Sequence, residues 1–539
     1  MSIELAVKDA INGFEARIAS TFQEYSASNS SYQDVLAQCA LVEHALLSAL
    51  HRFRAHMNYY APINRLPVEV LLLIFRHYHS TNCGDAPTWS SSVQPVVTIT
   101  HVCRHWRAAA LDDANLWTTV SAQDYNELQA LPVILSRSKM RPVDIAIEWR
   151  LHILARTRAS VLQALNEHLS HTRALRLHVR DEHSSDWVAA LTSPAPLLET
   201  FELVRGSRLP EPLGAGIISS AERRLFGAHA PRLRDVTLEN AALDTLDAPD
   251  VFRGVAELSV SQHNITPQDV RAVLASCPNV QDLNLTGSAS PSALARIPQP
   301  RRGGTWPCPA LTRLSFTDVN PRAVDLILPH LPLDQLALLD IVHTDAELFA
   351  VFELAPTSVA ALLPAEGEEE VRSVALRGSV HPYPPRVHWD VIVINARNAS
   401  RAFPLSRPQR HPALMRAIAH TPVLSVSVEM WPALVDLLSD SASFAAHRLA
   451  LTVEEPNALS DLCAAALRPL HFPALRRVVI SAKTRKMVPS ADLLKLLEKM
   501  VAVGDLRGGK LKKLTLKGIR HKGRLDDLYS LAQQVQVGE

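Results

Sequence analysis

The chain has 539 residues, of which 47% are hydrophobic and 20% are charged, so it contains enough apolar material for more than one globular domain. Its net charge of +1 gives no electrostatic reason to expect nucleic acid as a partner. No stretch approaches the roughly 18 apolar residues of a membrane span, and the N-terminus does not resemble a signal peptide, so no membrane partner is expected. The six cysteines lie far apart without a C-x-x-C pair, which predicts reduced thiols and a cytoplasmic or nuclear location.

Residues 1–60 are predicted to be helical. Apolar residues recur there at steps of three or four, in two series: Val7, Ile11, Phe14, Ile18 and Phe22, then Val35, Cys39, Val42, Leu46, Leu50, Phe53 and Met57. The Ser/Asn-rich break from Ser26 to Ser31 favours a helical hairpin packed on its own domain. A short coiled coil with another copy of the chain is the alternative, although the series contain few heptads.

The next segment predicts two helices with unusual apolar content. Every residue between Val68 and Phe75 is apolar except Glu69, and Pro67 suits a first helical turn. A surface helix needs one apolar stripe only, so we expect a second apolar face that something else must cover. After a polar surface loop from Thr81 to Gln94, a second helix is predicted from Val96 to Leu111, and its apolar steps are Ile99, Val102, Cys103, Trp106 and Ala110.

From about Thr172 to Leu516 one pattern repeats: an apolar residue, two variable residues, a second apolar residue, one variable residue and a third apolar residue. Its copies are Leu198–Phe201–Leu203, Leu233–Val236–Leu238, Val255–Leu258–Val260, Val280–Leu283–Leu285, Leu311–Leu314–Phe316, Leu333–Leu336–Leu338, Val371–Val374–Leu376, Val423–Val426–Val428, Leu475–Val478–Ile480 and Leu511–Leu514–Leu516. Weaker copies are Leu175–Leu177, Trp389–Ile392–Ile394 and Leu449–Leu451.

The last two apolar positions of each copy point to one face of a short strand, and a proline often ends the helix before the first. The segments between copies are predicted to be helical, for example Pro267 to Ser276. Stacked strand–helix units share a continuous core. The pattern therefore predicts an irregular solenoid over residues 165–530, after a connecting segment at 122–164. The stretches Glu366 to Glu370 and Pro382 to Pro385 are predicted insertions. An ordinary α/β domain, which also alternates strands and helices, is the alternative.

Several short motifs together resemble an F-box over residues 61–121: Leu66-Pro67-x-Glu69, Ile74-Phe75, Val102-Cys103-Arg104-x-Trp106-Arg107 and Leu116-Trp117. With the preceding helices and following repeats, the chain resembles fungal F-box proteins with leucine-rich repeats. The implied fold class is α/β, with N-terminal helices and an all-helical F-box followed by an irregular leucine-rich-repeat solenoid. The interval between the two F-box helices is longer than in compact F-boxes.

In that family the F-box binds the Skp-type adaptor of an SCF ubiquitin ligase, which connects it to a cullin, and the repeats bind a protein substrate for proteasomal degradation. The resemblance implies an adaptor contact formed or supported by Leu66, Pro67, Val70, Ile74, Phe75, Val102, Cys103 and Trp106. The chain would be a non-catalytic substrate receptor that acts by holding reactants near each other. The alternative is a repeat scaffold without a ligase role, whose F-box-like helices cap the repeats and bury Ile74, Phe75 and Val102.

Other motifs predict no chemistry. Gly504 to Lys510 has the spacing of a phosphate-binding loop, but Leu511 replaces the Ser/Thr that would hold Mg²⁺, and a helix precedes it where a strand should. The histidines and cysteines at 77, 79, 83, 101, 103 and 105 lack the paired spacing of a zinc site. We therefore predict no catalytic residue, cofactor or metal.

The segment from Arg476 to Arg524 contains fifteen Lys/Arg and three Asp/Glu. One interpretation is a solvated cap on the last repeats. The other is a docking patch for an acidic substrate, a phosphorylated segment or the nuclear import machinery.

Overall fold

The computed structural model describes residues 3–27, 32–83, 93–149, 155–179, 190–206, 225–240, 250–262, 265–287, 304–343, 354–364, 371–382, 385–438, 443–454, 470–489, 493–497, 510–522 and 526–538. The chain forms two compact units: Met1–Thr119 with Ser136–Arg141, and Val120–Leu135 with Pro142–Glu539. Within these described ranges, no helix has the length and apolar character needed to cross a membrane.

The first unit is built mainly from helices. They are α1 (Ile3–Ala27), α2 (Tyr32–Tyr60), α3 (Val68–Cys83), α4 (Val93–Val102) and α5 (Arg104–Asp112), with short 3-10 turns at Pro62–Arg65 and Ala114–Trp117. The ends of the interval predicted to be a loop, Thr81 to Gln94, are helical, because α3 continues to Cys83 and α4 begins at Val93. The rest of that interval lies outside the described residues.

The two N-terminal helices leave their apolar side chains open. Leu41, Phe53 and Met57 of α2 and Ile11 of α1 are exposed, and none of the α1 and α2 side chains that the structure describes is buried. The burial expected of a hairpin packed on its own domain is therefore not seen in these residues. Association with another copy of the chain remains a prediction.

The second unit is an open mixed α/β sheet with seventeen strands among the described residues. The strands are β1 (Thr119–Ala122), β2 (Val143–Trp149), β3 (Thr172–Val179), β4 (Thr200–Arg205), β5 (Asp235–Glu239), β6 (Glu257–Gln262), β7 (Asp282–Gly287), β8 (Arg313–Thr317), β9 (Leu338–Val342), β10 (Val371–Pro382), β11 (Pro385–Asn395), β12 (Ser400–Leu405), β13 (Val423–Ser427), β14 (Arg448–Val453), β15 (Arg477–Pro489), β16 (Lys513–Lys522) and β17 (Val535–Gly538). The helices associated with them are α6 (Tyr125–Arg137), α7 (Ala155–His168), α8 (Pro267–Ser276), α9 (Pro321–Ile327), α10 (Pro356–Leu362), α11 (Pro412–His420), α12 (Trp431–Leu437) and α13 (Asp526–Tyr529).

Strand order follows chain order except at one place. From β2 to β9 each strand pairs in parallel with the next, and β1 pairs with β2. Then β9 pairs in parallel with β12, the antiparallel strands β12, β11 and β10 follow in reversed order, and β10 pairs in parallel with β13. From β13 to β17 the parallel chain order resumes.

The pairing register places corresponding apolar side chains in continuous rows. One row runs across eight strands through buried residues, in the order Ile145, Leu175, Phe201, Val236, Leu258, Leu283, Leu314 and Leu339. A second buried row lies two residues further along each strand, because alternate side chains of a strand share a face. The apolar pairs predicted for β3 to β8 are confirmed as this inward face.

The sequence also locates one helix well. The helix predicted from Pro267 to Ser276 is confirmed as α8. It begins with a capping box, in which the Thr266 hydroxyl accepts from the Asp269 backbone N–H and the Asp269 carboxylate accepts from the Thr266 N–H. Pro267 follows at the first helical position, where no N–H is needed.

Three predicted copies of the repeat have the wrong register. The predicted copy Leu333–Leu336–Leu338 lies three residues too early, since the buried residues are Leu336, Leu339 and Ile341, and Leu339 pairs with Leu314. Five leucines between 331 and 339 make both registers compatible with the pattern.

The copy predicted as Val423–Val426–Val428 fails for a different reason. The strand places Leu424 beside Leu449 and Val426 beside Leu451, and buried Thr421 takes the first position. A threonine is accepted there because its hydroxyl donates a hydrogen bond to the Val423 carbonyl at 3.0 Å. A pattern that requires an apolar first residue cannot recognise this copy.

The copy predicted as Trp389–Ile392–Ile394 lies in the reversed part of the sheet. Its buried side chains alternate, as Trp389, Val391 and Val393 of β11, because the whole segment is one antiparallel strand. The predicted insertion from Pro382 to Pro385 lies at the β10–β11 hairpin, where Pro382 and Pro385 are register partners. The predicted insertion from Glu366 to Glu370 lies outside the described residues.

The sheet also extends beyond the predicted repeats. The interval 122–164, expected to be a connection, contains α6 and the buried strand β2, which pairs with β3 along its full length. At the other end β17 pairs with β16 after residue 530.

The register correction at β9 is testable with adjacent leucines. Leu339 is 0% exposed and Leu338 is 36% exposed. Leu339→Ala should lower the free energy of unfolding by about 2–5 kcal/mol, because it removes buried contacts and leaves a cavity. Leu338→Ala should change it by only about 0.5 kcal/mol in urea unfolding. A larger loss for Leu338→Ala would support the predicted register instead.

Candidate functional site

The start of α3 is shaped by the Leu66-Pro67 dipeptide. Leu66 ends the preceding 3-10 turn in an extended conformation, and the Pro67 carbonyl accepts hydrogen bonds from the backbone N–H groups of Val70 and Leu71, each at 3.1 Å. Proline lacks an N–H and has a fixed φ, so it fits the beginning of a helix at little cost. Leu66 is half-buried and Pro67 is exposed.

One face of α3 is anchored in the core of the first unit. Leu71, Phe75 and His79 are buried and follow each other at four-residue steps, which places them on one side of the helix. Phe75 is 1% exposed, and its ring lies 4.9 Å from the Trp106 ring of α5 with an interplanar angle of 55°. This tilted contact positions the half-buried Trp106 against α3.

Another face of α3 is apolar and open. Pro67, Val70, Ile74 and Tyr78 are exposed and recur at steps of three or four, so they form one stripe along the helix. Ile74 is 41% exposed, and Val102 at the end of α4 is 54% exposed. We call these five residues the apolar stripe. Exposed apolar side chains that recur along one helix face, as on α3, are typical of protein-binding surfaces.

The second predicted helix is in fact two helices, separated at Cys103. This residue has an extended backbone (φ −157°, ψ 170°) and is the N-cap of α5. Its Sγ accepts a hydrogen bond from the Trp106 backbone N–H, with 3.5 Å between sulfur and nitrogen. Cysteine thus takes the place of the Ser, Thr, Asp or Asn that usually caps a helix. Because apolar steps continue through Val102 and Trp106, periodicity alone does not reveal this break.

A hydrogen-bond relay joins α5 to the turn before α3. Trp106 Nε1 donates to Asn64 Oδ1 at 2.7 Å, and Asn64 Nδ2 donates to the Asn58 carbonyl at 2.6 Å. Asn64 therefore connects the end of α2, the 3-10 turn and the Val102-Cys103-x-x-Trp106 motif. Sequence reasoning missed Asn64, since asparagine in a turn is common and its partner is 42 positions away.

The strongest polar interaction of this unit is the pair Arg76–Asp113. Arg76 Nε and Nη2 donate to the two carboxylate oxygens of Asp113 at 2.8 and 3.0 Å, and Asn115 donates to Asp113 Oδ1 through its side chain at 2.8 Å. The bidentate geometry connects α3 to the end of α5. Neither residue was singled out in the sequence, because the two lie 37 positions apart with no local spacing signal.

The same contacts control the charge of Asp113. Burial would raise the pKa of its carboxyl, but the hydrogen bonds from Arg76 and Asn115 outweigh burial and hold the pKa below its usual value. The carboxylate therefore remains ionised at neutral pH, which is what the bidentate pair requires.

Three further contacts lie at the C-terminal end of this unit. Trp117 Nε1 donates to the Ala110 carbonyl at 2.9 Å, and the Arg137 guanidinium lies 4.6 Å from the centroid of the buried Trp117 ring. Lys139 donates to the carbonyl of Asp112 at 3.0 Å. Arg137 and Lys139 follow the predicted domain 61–121, so that boundary gave no reason to include them.

Residues 63–123 match the family model described as F-box-like. The chain therefore has an F-box-like domain. It includes α3, α4, α5 and the turns that carry the Asn64 and Asp113 contacts, and its bounds lie close to those predicted from the motifs. No curated protein matches the chain. F-box domains generally bind Skp-type adaptors, and proteins that contain them are generally non-catalytic.

The eight residues predicted for adaptor binding fall into three classes within this F-box-like domain. Pro67, Val70, Ile74 and Val102 are exposed, whereas Leu66, Cys103 and Trp106 are half-buried. Phe75 is buried and supports Trp106 from behind. Tyr78 extends the exposed stripe and was not predicted, although its four-residue step from Ile74 would have indicated it.

The histidines and cysteines of this region do not form a metal site among the described residues. Across the ranges given above for the described chain, no group of three His, Cys, Asp or Glu side chains is arranged to hold a metal ion. His79 is buried, and burial lowers its pKa. The segment 504–509 with the phosphate-loop spacing lies outside the described residues.

The Arg76–Asp113 pair predicts a pH dependence. The pKa of Asp113 is lower in the folded than in the unfolded chain, so its contribution to stability is present above about pH 4 and is lost as the pH falls through the folded pKa. Asp113→Asn should lower the free energy of unfolding at pH 7 by about 1–3 kcal/mol, and this difference should shrink under acid conditions. Thermal unfolding at a series of pH values measures it.

Asp112→Asn is the matched control for that experiment. Asp112 is the exposed neighbour of Asp113 and meets Lys139 at 3.2 Å, which as a surface pair contributes about 0–1 kcal/mol. Equal losses in the two variants, or a pH-independent loss in Asp113→Asn, would contradict the assigned role of the buried carboxylate.

The capping role of Cys103 gives a second test. Cys103→Ser should keep or improve the cap, since serine is a preferred N-cap, whereas Cys103→Ala should be about 0.5–2 kcal/mol less stable than Cys103→Ser. Urea unfolding of both variants compares them directly. If alanine were as stable as serine, the Sγ contact with the Trp106 N–H would have no structural value.

Proposed function

We propose that this protein is the substrate-recognition subunit of an SCF-type ubiquitin ligase. In this proposal the F-box-like domain binds the Skp-type adaptor and thereby a cullin, and the sheet unit binds a protein substrate for proteasomal degradation. The chain itself performs no catalysis and is cytoplasmic or nuclear. Its contribution is to raise the effective concentration of the substrate near the ubiquitin-loading machinery.

The observation that carries the proposal is the apolar stripe within a domain of F-box-like sequence. A folded helix that exposes Val70, Ile74 and Tyr78 in one line leaves apolar surface for a partner to cover. Burial of each aliphatic side chain contributes about 1.5–3 kcal/mol before the cost of association is subtracted. The buried contacts of Phe75 and the Arg76–Asp113 pair hold this stripe on a rigid support.

The architecture of the second unit supports the substrate-binding half. Short parallel strands in chain order, with inward apolar rows in register, are what a leucine-rich-repeat-like solenoid requires, and we propose that the sheet is one. The irregular spacing of its strands and the reversed strands β10–β12 make it an atypical member of that class. Such arrays present an extended face on which a protein segment can bind.

The competing function is a repeat scaffold without a ligase role. Ile74 and Val102 are not covered by the packing of the F-box-like domain itself, which leaves both available for an adaptor. Phe75 is buried under either hypothesis, so it does not distinguish them.

The adaptor interaction is tested by placing charge in the stripe. Ile74→Asp should lower the affinity of the purified chain for the Skp-type adaptor by at least about ten-fold, because a carboxylate would be buried at the contact. The unfolding temperature should stay near that of the wild type, since the side chain is exposed in the free chain. Isothermal titration calorimetry measures the affinity.

Met140→Asp is the matched control. Met140 is an exposed apolar side chain of the same unit, lies outside the apolar stripe, and should tolerate the change without loss of adaptor binding. A folded wild-type chain that fails to bind the adaptor, or equal losses in the two variants, would reject the receptor and favour the scaffold.

A further inference from the structure

The outward face of the sheet carries rows of charged residues in both halves. In the N-terminal half, Asp235, Glu257 and Asp282 are consecutive register partners, and outward arginines lie beside carboxylates of the neighbouring strand. Arg173 Nη2 is 2.5 Å from Asp144 Oδ2, and Arg313 Nη1 is 3.4 Å from Asp282 Oδ2. Pairs of opposite charge across neighbouring strands stabilise a sheet.

The charged residues of strands β14, β15 and β16 are all basic. Arg448 is the register partner of Arg477, which is in turn the register partner of Lys513. One position earlier, the Arg476 N–H donates to the His447 carbonyl and the Lys512 N–H donates to the Arg476 carbonyl. We call Arg448, Arg476, Arg477, Lys512 and Lys513 the cation ladder.

Nothing in the described part of the chain neutralises this ladder. The three strands contain no Asp or Glu, and no carboxylate among the described residues forms an ion pair with any of the five cations. Neighbouring strands are about 4.8 Å apart, so like charges in register repel each other at short range. An anion bound there would relieve this repulsion.

A solvated end cap does not explain the ladder. The sheet continues beyond β16 to β17, whose residues Val535–Gly538 carry no charge. The described edge of the sheet is thus uncharged, while Arg448, Arg477 and Lys513 lie on the outward face of the three strands before it. A surface that only keeps the chain in solution usually carries charges of both signs, dispersed over the face, and not one sign alone.

The surroundings of the ladder indicate the kind of partner. The next outward row consists of the small side chains Ala450, Val479 and Thr515, which are register partners, so an extended chain can lie close to the sheet there. None of the outward positions of β14–β16 that the structure describes holds an aromatic ring on which a base could stack. The ladder extends over roughly 10 Å across three strands, which suits several carboxylates in series better than one phosphate.

We propose that the cation ladder is the docking site for an acidic, Asp- and Glu-rich segment of a protein partner, which lies across β14, β15 and β16. Arginine and lysine side chains bind its carboxylates, and Arg477 at the centre contributes most because it has a cation on either side. The interaction does not involve the apolar stripe. It goes beyond adaptor binding and gives the substrate-binding half of the proposed function a chemical preference.

The test uses the full chain and a fluorescently labelled peptide of alternating glutamate and serine, with the matching glutamine peptide as probe control. The triple variant Arg448→Gln, Arg477→Gln, Lys513→Gln should bind the acidic peptide at least about ten-fold more weakly than the wild type. The matched variant Arg232→Gln, Arg234→Gln, Arg271→Gln removes the same charge from exposed arginines elsewhere and should bind as the wild type does. Added salt should weaken wild-type binding.

Three results would overturn the proposal. The first is an unchanged affinity of the ladder variant for the acidic peptide, and the second is an equal loss of affinity in the matched variant. The third is a singly phosphorylated peptide or an oligonucleotide that binds more tightly than the acidic peptide and depends equally on the ladder. The ladder variant should also unfold at the same or a higher temperature than the wild type, because it loses repulsion. If it does not fold, Arg477→Gln alone is compared with Arg234→Gln. Adaptor affinity is measured on the same preparations, so a failed receptor function and a failed ladder are told apart.

Discussion

Parallel pairing in register constrains almost every other feature of the larger unit. Once Phe201 is paired with Val236, and Val236 with Leu258, each inward side chain has a fixed neighbour on either side, and every second residue of each strand is committed to the core. The same register aligns the outward residues of neighbouring strands in rows on the other face of the sheet. The opposite-charge pairs of the N-terminal strands and the like-charge ladder of β14–β16 are both consequences of the register that aligns the apolar rows.

The F-box-like domain depends on a different kind of constraint. Its segment is short, and α3 directs part of its apolar surface outward, so the core alone provides limited stability. Polar contacts with good geometry supply the rest: Trp106 to Asn64, Arg76 to Asp113 and Trp117 to Ala110 each join two separate elements. These contacts allow Ile74 to remain in solvent while Phe75, the next residue, lies in the core.

The sequence predicted much of this arrangement, and its failures have physical causes. Strand positions from β3 to β8, the helix α8 and the extent of the F-box-like domain follow from short-range patterns of apolar residues and prolines. The break between α4 and α5 at Cys103 could not be predicted because the apolar period continues through it. The repeat copy that begins at Thr421 could not be predicted because a hydroxyl side chain occupies its first, usually apolar, position. Asn64, Arg76 and Asp113 could not be found from one sequence, since each acts through a partner distant along the chain.

The reversed strands β10–β12 have a consequence for how the chain acquires its structure. On either side, β2–β9 and β13–β17 grow by adding a strand next to the one just made, so each block can form through contacts local in sequence. The block β2–β9 cannot extend further until β12 has been synthesised, since that later strand pairs with its free edge, and β13 joins the preceding strands through β10. Strands β10–β12 therefore connect two blocks of the sheet that can each form separately. An interruption of translation between β9 and β12 would leave an unpaired parallel edge exposed to chaperones or to aggregation.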